Sequence, residues 1–442
     1  MQNDYLVQKK PFNALFIFSL PMIIGNLFQQ TYTMADSAIV GRYVGEQALA
    51  AVGASYSLTN IFICIAFGGG VGASVVVSRY FGAKELNRMK LAVLTSFVTF
   101  LVISFALGGT GLLLSRHIMI LLNTPADVLD MAVEYLNIYF LGLPFLFMYN
   151  ILSSMFNALG KSRIPLYFLI FSSLFNIWLD IVLITRFHMG VAGAAWATLI
   201  AQGISAVLSF LVFMILLKKL NCGHTKPFDR EELSEMTRIA LPSILQQSTV
   251  SIGMMLVQSV VNGFGSQALA GFSAGMRVES MCIVPMQALG NAVSSFTAQN
   301  IGAQKKERVP SGYRSSVRLV ILYAVIICVI LELFHEPVIQ FFLGEDGTAK
   351  ALQTGSDYLV FMGWFFCLIG FKMTVDGVLR GAGDMKMFTI ANLVNLSIRV
   401  VLSMTLAPVA GIGMVWYSVP IGWFANWAIS YRQYRTGKWR TL

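Results

Sequence analysis

Charged residues are scarce in this sequence. Only 12% of its 442 residues are Asp, Glu, Lys or Arg, whereas 56% are hydrophobic and the mean hydropathy is +0.71. A soluble domain carries about 25% charged residues, so a soluble chain of this length would lack the polar groups that cover a surface. The composition excludes an ordinary soluble protein and predicts that lipid surrounds most of the chain.

Cysteine and histidine are also few, and their positions exclude several kinds of site. Of the five cysteines, Cys64, Cys282, Cys328 and Cys367 fall inside apolar runs, and Cys222 lies in a polar loop. No CxxC occurs, so neither a zinc site nor a disulfide framework is indicated. The four histidines lie in loops or at the ends of apolar runs and predict no metal site.

Motifs of nucleotide binding and catalysis are missing. LGKS at 159–162 resembles the end of a P-loop, but Met155 stands where the earlier glycine is required. GGGVGAS at 68–74 fits a dinucleotide fingerprint, yet it lies inside an apolar run without a preceding strand, so it indicates close helix packing instead. Because no nucleophile–base or metal constellation lies at membrane depth, an intramembrane enzyme is disfavoured.

Twelve apolar runs of about 20 or more residues follow one another, separated by polar breaks. They predict an all-α polytopic membrane protein with twelve transmembrane helices. The predicted spans are 12–40, 47–77, 91–114, 131–157, 165–185, 191–217, 236–262, 268–298, 315–334, 353–379, 387–407 and 411–431. The first run is too long for a signal peptide and has no small-residue cleavage site, so we expect it to be retained.

Lys and Arg are distributed unequally between the two sides of the predicted membrane. With the N-terminus inside, the opposite side holds only Arg42, Arg116, Arg186 and Lys350. Positive residues favour the cytoplasmic side. We therefore expect a multi-pass protein of the cytoplasmic (plasma) membrane of a prokaryote, with both termini cytoplasmic. The net charge of +10 then faces anionic lipid headgroups, and no nucleic-acid partner is expected.

The two halves of the chain repeat each other. QALAAVGA at 47–54 matches QALAGFSA at 267–274, and the same shift of 220 residues aligns Trp196 with Trp416. Six spans per copy is an even number, so both copies enter the membrane from the same side, which is a transporter architecture. The predicted organisation is an N-terminal six-helix bundle (1–217), a cytoplasmic linker (218–235) and a C-terminal six-helix bundle (236–442).

A carboxylate stands inside the first predicted span. On a helix, Gln29, Tyr32 and Asp36 share one face, and Pro21 upstream offers a point at which the helix can bend. A charge at mid-bilayer is costly and is rarely kept without a task or a partner. Asp36 is therefore a candidate to bind a proton or a cation. The alternative is that it lies at the outer end of the span and is wetted by water.

A second carboxylate, Asp180, follows Asn176 by four residues on the same helix face, and Thr198 lies in the next span. Carboxylate, amide and hydroxyl oxygens suit Na⁺ or a proton relay, whereas the alternative is an interhelical hydrogen-bonded set. Under the shift of 220 residues, apolar residues stand opposite both Asp36 and Asp180. We therefore expect the ion chemistry in the N-terminal half.

The C-terminal half contains other charged residues within its predicted spans. Arg277 and Glu279, two residues apart, indicate a structural charge cluster. Asp376 has Arg380 at i+4, a spacing typical of a salt bridge. Lys372 is predicted to snorkel toward the membrane surface.

The chain resembles the multidrug and toxic compound extrusion (MATE) transporters over nearly its whole length. The resemblance rests on the twelve spans in two halves and on five segments: SLPMIIGNLFQQTYTMADSAIVGRYVGEQALAAVG at 19–53, GAKE at 82–85, NALGKSRIP at 157–165, FNIWLD at 175–180 and GVAGAAWAT at 190–198.

This resemblance implies two six-helix bundles that form a V-shaped central cavity, and export of organic, often cationic, compounds in exchange for H⁺ or Na⁺ by alternating access. In the DinF-like branch, Asp36 matches a carboxylate of the first helix and Pro21 matches its bend. Asn176, Asp180 and Thr198 match cation-coupling residues of helices five and six.

Candidates to line the substrate cavity are polar and aromatic residues of the first and fourth spans: Gln29, Tyr32, Tyr135, Tyr139, Asn150 and Asn157. The NorM-like branch uses acidic residues of helices seven and ten instead. Here span seven has Gln246 and Gln247, and Asp376 of span ten stands too close to LRG to match well. The resemblance therefore does not support ion coupling in the C-terminal half.

A lipid-linked oligosaccharide flippase of the same superfamily is the alternative function. Such proteins have additional helices or several cationic cavity residues, whereas only Arg277, Lys372 and Arg399 lie within spans here. The expected partners are the lipid bilayer and small organic cations, with the chain acting as a monomer. No cofactor is expected apart from the coupling ion, H⁺ or Na⁺.

Overall fold

The computed structural model describes residues 5–122, 124–220, 223, 225–344 and 347–440, and none of these residues lies in a strand. Cys222, predicted to lie in a polar loop, is outside the described residues. The helices in chain order are α1 (Tyr5–Gln8), α2 (Pro11–Tyr43), α3 (Glu46–Ala83), α4 (Leu86–Leu121), α5 (Ala126–Ala158), α6 (Arg163–Thr185), α7 (Gly190–Lys219), α8 (Arg230–Asn262), α9 (Ser266–Gly302), α10 (Arg308–Leu343), α11 (Ala349–Gly363), α12 (Phe366–Ala382), α13 (Met385–Ala410) and α14 (Gly413–Thr436), followed by a 3₁₀ turn at Lys438–Arg440.

Each of the twelve predicted spans corresponds to a long helical segment, with α11 and α12 together forming the tenth. Within the described ranges, nine helices are long and apolar enough to cross a bilayer, and the α11–α12 pair makes ten. The helices α9 and α14 are less apolar than these ten, because small and polar residues are frequent in them. Many of those residues are buried. The prediction of an all-α polytopic membrane protein is confirmed.

Two of the spans are not straight. The α11–α12 pair bends by 53° at the break between Gly363 and Phe366. In α10, Phe334 leaves the helical region, with φ −128° and ψ 15°, three residues before Pro337. Proline has no N–H to donate to the preceding turn and its ring clashes with the carbonyl there, which explains the kink. The predicted ninth span ends at this kink, whereas α10 continues to Leu343.

The sequence repeat is visible in the backbone. Lys84 and Gln304 occupy equivalent positions 220 residues apart, and they adopt φ 61° and φ 59°. A non-glycine residue with positive φ is uncommon, so this shared conformation is informative. Gly45 and Gly265, also equivalent, have φ 115° and φ 93°. The turns before α3 and α9 therefore share a backbone conformation, and so do the turns after these two helices.

The chain divides into two compact units, Ile24–Ile244 and a unit that joins Met1–Ile23 to Leu245–Leu442. In the second of these, Leu15 and Phe18 at the start of α2 are fully buried in a cluster with Phe296. The predicted bundles follow the sequence repeat, whereas this division follows packing and passes through α2 and α8. The bundle boundaries stay a prediction.

Close helix packing in the first compact unit explains the glycines of GGGVGAS. A Cβ added to Gly68 would lie 2.7 Å from the Cα of Ile244, and one added to Gly72 would lie 2.3 Å from the Cα of Ala240. Glycines four residues apart let two helix backbones approach closely. The first half of α8 therefore packs against the backbone of α3, as the packing interpretation of this motif predicts.

Gly72→Ala is expected to lower the free energy of unfolding by about 1–3 kcal/mol, because the new methyl group would push α8 away from α3. Thermal unfolding of the purified protein in detergent measures the effect. Gly109→Ala is the matched control, since nothing lies within 4 Å of a Cβ added there. Equal unfolding midpoints for the two variants would contradict the packing assignment.

Candidate functional site

The two carboxylates of the N-terminal half, Asp36 on α2 and Asp180 on α6, come together in the first compact unit. Asp180 is fully buried, and the two carboxyl groups lie within hydrogen-bonding reach of each other. The Oδ1 atom of each is buried without a hydrogen-bond partner among the described residues. Asp36 is half-buried and forms a carboxyl pair with Asp180.

Asn176 organises the surroundings of the pair. In the amide orientation that satisfies both of its polar atoms, its nitrogen donates to Asp180 Oδ2 at 2.8 Å and to the Tyr32 hydroxyl at 3.0 Å. Its oxygen accepts from the backbone N–H of Thr198 at 2.9 Å and from the Thr198 hydroxyl at 3.2 Å. This side chain therefore ties α2, α6 and α7 together around the two carboxyl groups.

Tyrosines form the other side of the site. Tyr32 is hydrogen-bonded to Thr198 as well as to Asn176, and Tyr135 on α5 lies close enough to feel the charges of both carboxyl groups. The Tyr139 hydroxyl donates to the carbonyl oxygen of Thr59 at 3.3 Å. Of the predicted cavity residues, Tyr32 and Tyr135 therefore belong to the immediate surroundings of the pair.

A small cavity of about 20 Å³ lies beside these groups and is bordered by Tyr135, Tyr139, Thr198 and Gln202. This volume is room for about one water molecule. Gln202 was not predicted as a site residue, although it follows Thr198 by four residues and so shares its helix face. That spacing is the signal that would have found it.

The remaining predicted residues lie elsewhere. Gln29 is exposed, and Pro21 is buried within α2, which stays one continuous helix across it. Asn150 donates to the Leu146 carbonyl oxygen of its own helix at 2.9 Å. Asn157 lies 22 residues beyond Tyr135, about 33 Å along α5. Neither asparagine is therefore brought to the carboxyl pair.

Comparison with known proteins assigns the chain to a family. The MatE family model matches residues 21–182 and 242–405, which include both carboxyl residues. The chain belongs to the MatE family. MatE proteins are membrane transporters rather than enzymes, so this multi-pass membrane protein is a transporter.

Relatives and solved structures support the assignment over the full length. The chain is 30% identical over 430 residues to the probable multidrug resistance protein YpnP of Bacillus subtilis (strain 168), covering 97% of this chain and 96% of the relative. It is 28% identical to the probable multidrug resistance protein YoeA of the same organism, with 89% and 87% covered. A crystal structure of MATE in complex with MaL6 shares the fold, with a TM-score of 0.92, 22% identity and 100% of both chains covered.

The MatE chain also contains a buried polar cluster in its second compact unit. Lys372 Nζ lies 3.4 Å from Asp376 Oδ2, and both side chains are 3% exposed. Ser430 donates to Asp376 Oδ1 at 2.7 Å, while Asn392 lies 3.5 Å from Oδ2. Lys372 therefore does not snorkel, because its ammonium group is held by an internal carboxylate.

One predicted charge pairing in this unit is wrong, and Arg277 and Glu279 point to different surroundings. Arg380 donates to Asn291 Oδ1 at 2.7 Å, and the ion partner of Asp376 is Lys372 instead. Arg277 is exposed whereas Glu279 is buried, because residues two apart point to different sides of a helix.

Glu279 has other partners in the same unit. It accepts a hydrogen bond from Tyr358, and it lies near Arg399. These contacts join α9, α11 and α13, so Glu279 and Asp376 both belong to internal polar networks of this unit.

Proposed function

We propose that this protein exports small organic compounds, often cationic, in exchange for H⁺ or Na⁺ by alternating access, with the Asp36–Asp180 pair as the coupling site. The observation that carries the proposal is the approach of two carboxyl groups, each with one unpartnered buried oxygen. The export of drugs is supported by the names of the two Bacillus subtilis relatives, both probable multidrug resistance proteins.

A carboxyl pair responds strongly to one added proton. Two negative charges in a low-dielectric interior repel each other, while a single proton placed between the oxygens turns the repulsion into a hydrogen bond. The separation of α2 from α6 at Asp36 and Asp180 therefore depends on the occupancy of the pair. An ion that binds one arrangement better than the other shifts the protein toward that arrangement, which is the requirement for coupling.

The hydrogen bonds favour a proton over Na⁺ as the coupling ion. The Asn176 oxygen is already occupied by Thr198, and its nitrogen faces Asp180 Oδ2. Asn176 therefore presents a donor to the pair, whereas a sodium ion needs oxygen ligands. The two free Oδ1 atoms suffice to share a proton.

The pair is also suited to a cationic compound. When both carboxyl groups are ionised they supply negative charge beside Tyr32 and Tyr135, whose aromatic rings attract cations. Protonation removes that charge and weakens the hold on the compound. Under this proposal the proton and the organic cation compete for the same negative charge.

The proposed location is the plasma membrane of a prokaryote, with both chain termini on its cytoplasmic side.

Transport in proteoliposomes tests the proposed function. Uptake of a fluorescent organic cation is expected under an imposed pH gradient and is expected to be absent under an imposed Na⁺ gradient at equal pH. Transport driven by Na⁺ alone would keep the antiporter and overturn the choice of ion. No transport under either gradient, with the protein folded, would overturn the drug-antiport proposal itself.

A further inference from the structure

A groove along the first turns of α8 leads into an apolar cavity, and nothing in the transport mechanism uses either. The groove is shallow and open, and it is bordered by α8 residues from Arg230 to Pro242. The cavity has a volume of about 140 Å³ and lies among α3, α4, α5 and α8. Leu233, Thr237 and Leu241 border both, so the two spaces adjoin.

Guanidinium, hydroxyl and aliphatic groups border the groove. Arg230, Ser234, Thr237 and Leu241 follow the spacing i, i+4, i+7 and i+11, so they form one stripe on the helix surface. All four side chains are exposed. The stripe runs from a guanidinium through two hydroxyls to an aliphatic group over about 16 Å. Arg238 borders the groove as well, and Arg230, Ser234 and Arg238 follow the spacing i, i+4 and i+8, so two guanidinium groups flank a hydroxyl on one helix face.

The charge of the groove favours an anion. Arg230 and Arg238 have no carboxylate within 4 Å among the described residues, Glu231 is exposed, and Asp229 accepts hydrogen bonds from the backbone N–H groups of Glu231 and Glu232. The other acid that borders the groove, Glu235, is bound by Arg79 at 2.8 Å. The basic groups are therefore available to a ligand.

The cavity is suited to hydrocarbon and opens toward lipid. A cavity of about 150 Å³ holds a benzene-sized group, so this one holds about six carbon atoms. Ile103 of α4 borders it and is exposed, as are its neighbours Leu101, Val102 and Phe105. An exposed apolar side chain on a membrane helix contacts acyl chains, so the cavity meets lipid at Ile103. The Thr99 hydroxyl in the cavity wall has no hydrogen-bond partner among the described residues.

We propose that the α8 groove and its adjoining cavity bind an anionic phospholipid, with the phosphate at Arg230 and Arg238 and part of one acyl chain between α4 and α8. A cationic drug does not fit the same place, since its charge would face two arginines. The lipid would fix the first half of α8 against α3 and α4, where Gly72 and Ala240 already meet.

Binding of fluorescent phosphatidylglycerol and phosphatidylcholine to the purified, delipidated protein tests the proposal. We expect phosphatidylglycerol to bind about tenfold more tightly, because both lipids carry a phosphate but only phosphatidylcholine brings a cationic choline group close to the two arginines. Arg230→Gln combined with Arg238→Gln is expected to remove this preference. The matched control is Arg432→Gln with Arg435→Gln, which changes two arginines of a groove on α14. That control is expected to keep the preference.

Two further experiments distinguish binding of a lipid from binding of phosphate alone, and the contribution of the acyl chain from that of the headgroup. Thr99→Phe, which fills the cavity, is expected to weaken both lipids, while Thr99→Val, which removes only the hydroxyl, leaves binding within twofold of the wild type. Equal binding of the two lipids by the wild type would overturn the proposal. The proposal would also be overturned if the two double arginine variants lost the preference for phosphatidylglycerol equally. Full displacement of the lipid by soluble glycerol phosphate at matched concentration would overturn it as well.

Discussion

Asp36→Asn and Asp180→Asn each reduce gradient-driven export about 5- to 150-fold, the range that 1–3 kcal/mol of coupling free energy supplies. An amide in place of either carboxyl group leaves one acid that cannot repel a like charge, so proton release no longer changes the preferred separation of α2 and α6. The measurement is export of a fluorescent organic cation from proteoliposomes at several imposed pH gradients. In both variants we expect the rate to become insensitive to the gradient.

The control for this experiment is Asp130→Asn. Asp130 is exposed and pairs with Arg116 at 2.9 Å, far along the chain from the carboxyl pair. It is expected to leave export within twofold of the wild type. Exchange of the compound down its own concentration gradient should persist in Asp36→Asn, which distinguishes lost coupling from lost folding. Driven export that survives in both carboxyl variants would remove the pair from the mechanism.

Lys372→Met lowers the free energy of unfolding by about 3–5 kcal/mol, because it leaves the Asp376 carboxylate buried without its cationic partner. Both members of this pair are buried at 2% exposure, so water cannot replace the lost contact. Thermal unfolding in detergent, followed by tryptophan fluorescence, measures the effect. The double variant Lys372→Met with Asp376→Asn is expected to recover part of the loss, since both charges of the pair are removed while the buried Arg380 loses the nearby carboxylate.

A surface pair provides the comparison for Lys372. Arg116→Met removes the partner of Asp130, whose side chain is 81% exposed, and an exposed ion pair contributes about 0–1 kcal/mol. A loss in Lys372→Met no larger than that in Arg116→Met would show that the internal pair has little influence on stability. If the double variant were as unstable as the single one, the cost would arise from packing rather than from charge.

The helices could be predicted because apolar length is a local property of the sequence. All twelve predicted spans have a helical counterpart, and the position of Pro337 explains why the ninth prediction ends early at Phe334. The bend between Gly363 and Phe366 was not predicted. Neither residue is a proline, so the sequence offered no local signal for it.

The partner of Asp376 shows why spacing alone did not settle the ion pairs. Lys372 lies four residues before it and Arg380 four residues after it, so both are on its helix face. The choice between them depends on α9, which places Asn291 beside Arg380 and so occupies that guanidinium. A contact between helices that are distant in sequence is not encoded in the periodicity of either one.

More of the carboxyl pair than of the ion pairs could be predicted from the sequence. Asp36 and Asp180 were each recognised as costly charges within apolar runs, and the repeat indicated that only one half has them. The role of Asn176 as a donor to Asp180 required the geometry, because an amide presents an oxygen or a nitrogen according to its neighbours. From its residue type and spacing, Asn176 had been predicted to be an oxygen ligand.

The division of the chain through α2 and α8 sets an order for biogenesis. The Asn300 side chain donates to the Leu6 carbonyl oxygen at 3.2 Å, so the first residues must wait for a partner made 294 residues later. At about 5–20 residues per second, a ribosome takes roughly 15–60 s to reach it. Meanwhile the glycine stripe of α3 stays uncovered until Ala240 and Ile244 emerge. The unit Ile24–Ile244 can complete its packing once Ile244 has left the translocon, whereas the other unit joins the start of the chain to its C-terminal half and can form only after synthesis is nearly finished.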